Sequence, residues 1–144
     1  MNPMHRVKSA VGVGLGAAAI LLAACAGMSG TKVIVTLSGA EEVPPVSTSA
    51  HGQGSFTVSE DKSVSGSITV MGLSPTAAHI HTGARGQNGP VAVGLEKSGD
   101  ASWSVPKGAK FTDAQYEAFK AGNTYVNVHT NANKGGEIRG QLRP

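Results

Sequence analysis

The sequence predicts an all-β protein: a Greek-key β-sandwich or flattened barrel of about eight short strands with one short helix. Three observations carry that class. Twenty glycines and only 15% charged residues in 144 suit short strands and tight turns better than long helices. Aromatic residues make up 4%, so the core is built from Val, Ile, Leu and Ala. From Ser63 to Val70 the chain alternates strictly, with Val64, Ile68 and Val70 on one face and Ser63, Ser65, Ser67 and Thr69 on the other. That period of two marks an antiparallel sheet with one face in water.

The elements follow in order. Val33–Leu37 is a β-branched strand, broken by Glu41-Glu42-Val43-Pro44-Pro45, since proline cannot donate to a ladder. Adjacent glutamates on an extended chain point apart, so Glu41-Glu42 reads as part of a turn rather than an acid–base pair. Ala50–Val58 is a strand with Ala50, Phe56 and Val58 inward, and Asp61-Lys62 turns it into Ser63–Val70. Ala77–Thr82 is a strand. Gly83–Pro90 is a glycine-rich loop, and because it leads into a strand rather than a helix it is no phosphate cradle. Pro90–Leu95 and Ala101–Val105 are strands, with Trp103 in the core. Thr112–Ala121 is the one helix: Thr112 caps it, Gln115 completes a capping box, Gly122 stops it, and Tyr116 and Phe119 form its buried stripe. Tyr125–Thr130 and Glu137–Leu142 make a hairpin. No longer internal repeat is present, which excludes solenoids and propellers.

The N-terminus reads as an address. Arg6 and Lys8 precede an apolar run from Ala10 to Ala24 that is too short for a membrane span. The run closes Leu22-Ala23-Ala24-Cys25, which resembles a bacterial lipobox, and Cys25 is the only cysteine of the chain. The expected organisation is a signal peptide over 1–24, a lipidated Cys25 and tether over 25–31, and one folded domain over 32–144. The competing reading is a plain secreted protein with a chance cysteine. The lipid holds the domain at a membrane surface in the cell envelope, on the periplasmic side of the outer membrane in a two-membrane host. A single cysteine excludes a disulfide framework and a Cys-rich zinc site. The net charge of +3 is weak and scattered, and no nucleic-acid partner is expected.

The histidines carry the chemistry. In His79-Ile80-His81 the two imidazoles share a strand face and Ile80 points to the core. In Tyr125–Thr130, Val126 and Val128 are inward, so Tyr125, Asn127 and His129 point the other way. Pairing Val128 with Ile138 puts Asn127 opposite Arg139, Tyr125 opposite Gln141 and His129 opposite Glu137. A one-residue slip would set Ile138 against His129, which the pattern disfavours. His79, His81 and His129 are therefore candidate metal ligands, with Glu137 as a ligand or an acceptor that orients His129. Imidazole donors without thiolate suit copper, zinc or nickel, with copper the first choice and zinc the second. His51 lies on a polar face and is a candidate fourth ligand, against the alternative of a solvated side chain.

These motifs resemble the CHRD domain, named for chordin. The resemblance rests on Leu37-Ser38-Gly39-Ala40-Glu41-Glu42-Val43-Pro44-Pro45-Val46, Ala78-His79-Ile80-His81-Thr82-Gly83, Gly86-Gln87-Asn88-Gly89-Pro90-Val91, Ala121–Thr130 and Gly135–Leu142. It spans about residues 33–142 and implies a β-rich extracellular module. His79, His81, His129, Glu137 and Arg139 fall inside the shared motifs, and His51 does not. The His-x-His strand with a distant third His is also similar to the copper site of copper–zinc superoxide dismutases, whose zinc-loop ligands and disulfide have no counterpart here. The expected function is copper binding; a further reading is superoxide dismutase-like activity with Arg139 steering the anionic substrate, against the alternative that Arg139 only pairs with Glu137 or a loop carboxylate. The alternative is a non-enzymatic structural or interaction module with no metal.

Overall fold

A computed structural model describes residues 29–144. The expected signal peptide and Cys25 lie outside the described residues. Among the described residues nine strands form one antiparallel sheet that curls into a nearly closed barrel, the flattened barrel of the sequence expectation. They are β1 (Gly30–Ser38), β2 (His51–Ser59), β3 (Val64–Met71), β4 (Pro75–Thr82), β5 (Val91–Gly94), β6 (Glu96–Lys97), β7 (Ser102–Ser104), β8 (Thr124–Thr130) and β9 (Ile138–Leu142). Their order is β5-β4-β8-β9-β1-β2-β3-β7-β6. Gly30 and Thr31, expected in the tether, are instead paired with Ser59 and Val58 at the start of β1. Among the described residues no helix is long and apolar enough to cross a membrane.

One segment, Val91–Lys97, joins the sheet's two edges. Its first half pairs with β4, and the Leu95 amide still donates to the Ala78 carbonyl at 2.9 Å. Its last two residues then pair with β7. Leu95, buried at the bend, anchors the crossing. The sequence reading ended this strand at Leu95, because exposed Glu96 and Lys97 carry no apolar periodicity.

The inward faces are the expected ones. Phe56, Val58, Ile68, Val70, Ile80, Val126, Val128, Ile138 and Leu142 fill the barrel, and Trp103 joins them. At the Asp61-Lys62 turn Lys62 takes a φ of 68°, and Asp61 accepts hydrogen bonds from both the amide and the hydroxyl of Ser63. The helix α1 (Asp113–Lys120) begins with the expected capping box: the Gln115 amide donates to Thr112 Oγ1 at 3.2 Å, and the Thr112 amide to Gln115 Oε1 at 2.8 Å. Phe119 is buried against Phe111, and Gly122 ends the helix at a φ of 73°. Thr112→Ala is expected to cost about 1 kcal/mol in urea unfolding, the ordinary worth of such a cap.

The outer face of β8 and β9 departs from the alternation argument. Tyr125, Asn127 and Arg139 point away from the barrel, yet each is buried. Two segments cover them: the 83–90 loop and the stretch from Gly39, which opens with a single 3-10 turn (Gly39–Glu41). Alternation assigns a face and says nothing about whether a loop folds over it. The result is a second, polar interior outside the barrel, and the histidines line it.

Candidate metal centre

The β8–β9 register is the expected one: Val128 faces Ile138, Asn127 faces Arg139 and Tyr125 faces Gln141. β4 lies on the other side of β8, with His79 opposite Asn127, His81 opposite Tyr125 and Ala77 opposite His129. Three imidazoles from two neighbouring strands thus meet on one face. Their ligand nitrogens all lie within 4.8 Å of one another.

The ring orientations are set by backbone carbonyls. His81 Nδ1 donates to the Gly89 carbonyl at 2.9 Å, and His129 Nδ1 donates to the Lys134 carbonyl at 2.9 Å. Each ring therefore carries its proton on Nδ1 and its lone pair on Nε2. Such anchoring of the far nitrogen is how metal-binding histidines are held. His79 Nδ1 meets His129 Nε2 at 3.0 Å, the contact a cation would replace. His81 Nε2 is buried and has no hydrogen-bond partner. Burial lowers the pKa of His79 and of His81, with the neighbouring imidazoles adding to the effect, so both rings are neutral and ready to ligate at neutral pH.

The glycine-rich loop is the clamp on His81. Its Gly89 amide donates to the Tyr125 hydroxyl at 3.2 Å while its carbonyl holds His81. The Tyr125 ring stacks on the His81 ring, with centroids 4.9 Å apart and planes 2° from parallel. A side chain at Gly89 would run into the Thr82 carbonyl, so only glycine permits this approach.

Arg139 is not the open cation that anion steering requires. It is 1% exposed, and its guanidinium donates to the carbonyls of Ala84 and Gln87 at 3.2 and 2.9 Å and to Asn88 Oδ1 at 3.3 Å. It also lies 3.4 Å from the centre of the Tyr125 ring. Its place opposite Asn127 is as expected, but the covering loop takes its charge out of solvent. Arg139 pins the loop that holds His81.

Glu137 is also placed elsewhere. Its carboxylate accepts from Thr48 at 2.9 Å, Thr130 at 2.6 Å and Asn133 at 3.1 Å, and these bonds, that from Thr130 foremost, lower its pKa. The ladder ends at Val128–Ile138, and Gly136 turns the chain at a φ of 132°, so strand alternation does not reach Glu137. The Lys134 carbonyl orients His129 in its stead. His51 is exposed at the start of β2, opposite Ser38 and Met71, and lies outside the cluster; its Nδ1 faces the Ser49 carbonyl at 3.3 Å.

One further residue, Glu42, stands behind the site. Glu41 points outward to Arg85, whereas Glu42 is 4% exposed. Burial raises the Glu42 pKa from 4.5 to about 7, against the opposing charge of Arg139 and a hydrogen bond from Asn127. Between those values the unfolded chain gives up this proton and the native chain keeps it. Stability therefore falls as pH rises from 4.5 to about 7, by about 3 kcal/mol in all. The lowered histidines act oppositely, costing stability as pH falls below 6.5. Glu42→Gln is expected to remove the first slope and to make the protein more stable than its parent at pH 8, as read by urea unfolding across that range.

The fold and this site define a small antiparallel β-barrel with a cluster of three imidazoles clamped onto its flank by loops. Residues 33–142 match the CHRD domain family, and the chain belongs to that family. No curated protein and no solved structure matches it.

Proposed function

We propose that this CHRD-domain protein binds a metal ion, copper first and zinc second, through His79, His81 and His129, while lipid on Cys25 holds it at a membrane surface in the cell envelope. The observation that carries the metal reading is the convergence of three ligand nitrogens within 4.8 Å, two of their rings already oriented by carbonyls. His79 and His129 are half-buried, so a cation reaches them from solvent. Moving the His79 proton from Nδ1 to Nε2 frees the last lone pair.

The finer reading is dismutation of superoxide, in which two superoxide anions and two protons become dioxygen and peroxide. Copper would supply the one-electron exchange. The chain's part is to supply three imidazole donors and leave a position for a small anion. With Arg139 withdrawn, Lys134 takes the steering role: it is exposed, and its own carbonyl holds His129.

The test is titration of the purified full chain with Cu(II), followed by electron paramagnetic resonance. One equivalent is expected to bind, and binding is expected to be lost when His79→Ala is combined with His129→Ala. Absence of stoichiometric binding, or binding indifferent to both substitutions, favours the structural or interaction module instead. Pulse radiolysis of the loaded protein tests the finer reading. Superoxide decay no faster than with free aqueous copper rejects dismutation and leaves metal binding standing. A dependence on ionic strength that disappears in Lys134→Ala supports steering.

A further inference from the structure

Asn127 stands in the middle of the histidines. It lies two residues from His129 on β8, hence on the same face, and directly opposite His79 on β4. The residue is 2% exposed. Its Nδ2 donates to the Gly135 carbonyl at 3.3 Å, while its Oδ1 is buried with no hydrogen-bond partner. His81 Nε2, two residues from His79 on β4 and so on the same face, is in the same condition. Both orphan atoms are acceptors, because the His81 proton is committed to Gly89. A buried acceptor left without a donor is destabilising. One cation relieves both.

We infer that Asn127 Oδ1 is a fourth donor to a divalent cation held by His79, His81 and His129, oriented by the Gly135 carbonyl and polarised by Glu42. This rests on the metal reading above and adds an oxygen to its donor set. Gly136 makes the arrangement possible: a Cβ there would strike both Glu42 Oε1 and Asn127 Nδ2, so its absence lets carboxyl and amide share the space. The Glu42 carboxyl oxygen beside the amide nitrogen draws its N–H dipoles and shifts electron density toward Oδ1. That is the amide counterpart of a carboxylate orienting a metal-bound histidine. Three imidazoles with a weaker neutral oxygen suit a divalent copper or zinc ion.

The experiment uses the purified full chain, metal-free and loaded with Zn(II) or Cu(II). With Zn(II), the Asn127 side-chain carbonyl carbon is expected to move downfield in NMR of the parent protein, a readout that needs no variant. With Cu(II), Asn127→Leu is expected to weaken binding about tenfold and to change the copper hyperfine pattern, whereas Asn127→Asp, which supplies a charged oxygen, tightens binding. An unmoved Asn127 carbonyl, or equal affinity and an identical spectrum in Asn127→Leu, overturns the inference while the three-histidine site stands. Failure of the parent to bind either ion overturns both.

Discussion

Gly89→Ala is expected to destabilise the domain by about 3 kcal/mol and to loosen His81 in the same step. The added methyl meets the Thr82 carbonyl, part of the backbone at the end of β4, so the loop has to move rather than a side chain. Moving it breaks the Gly89–Tyr125 and Gly89–His81 hydrogen bonds together. His81 then regains ring freedom, and its Nδ1 proton loses the acceptor that fixes the tautomer. Urea unfolding gives the stability change. Histidine ring NMR of the metal-free chain gives the second part, through a loss of the slow proton exchange that marks a held Nδ1–H. A Gly89→Ala variant with native stability and an unchanged His81 signal would show that the loop has another way of covering the site.

Arg139→Met is expected to cost about 3–5 kcal/mol, the usual consequence of removing one member of a buried polar network. The methionine fills much of the space but leaves the carbonyls of Ala84 and Gln87 without their donor. Glu42 also loses the positive charge that offsets its burial, so its pKa rises further. The effect is therefore expected to be larger at pH 8 than at pH 5. Arg139→Lys keeps the charge but not the planar fork that serves several acceptors at once, and is expected to recover less than half of the loss. Chemical unfolding at the two pH values measures both. A loss equal at pH 5 and pH 8 would mean that Glu42 and Arg139 do not sense each other.

Both predictions concern the face that the sequence described least well. Residue alternation located His79, His81, Asn127, His129 and Arg139 on the outer side of their strands, and the Val128–Ile138 pairing fixed the hairpin register, because a slip would have buried polar residues in the barrel. The capping box of α1 was equally readable, since both of its hydrogen bonds are made within one turn. Glu137 was misplaced for a definable reason: a glycine at positive φ comes just before it, and strand parity holds only along a continuous ladder. Asn127 and Glu42 carried no signal of their own. An asparagine on a polar face and a glutamate before two prolines are ordinary surface residues until something covers them.

The strands, their inward faces, the hairpin register and the meeting of two histidines on one strand were all readable from the chain, because they follow from local geometry and the burial of apolar side chains. That the third histidine lies beside β4 emerges from the assembled sheet. So does the closing of the 83–90 loop and the segment after Gly39 over the outer face, which turns Arg139 inward to carbonyls instead of outward to solvent. Those outcomes depend on contacts between residues some 40 to 55 positions apart in the chain, such as Asn88 with Val43 and Arg139 with Ala84, which no local pattern encodes.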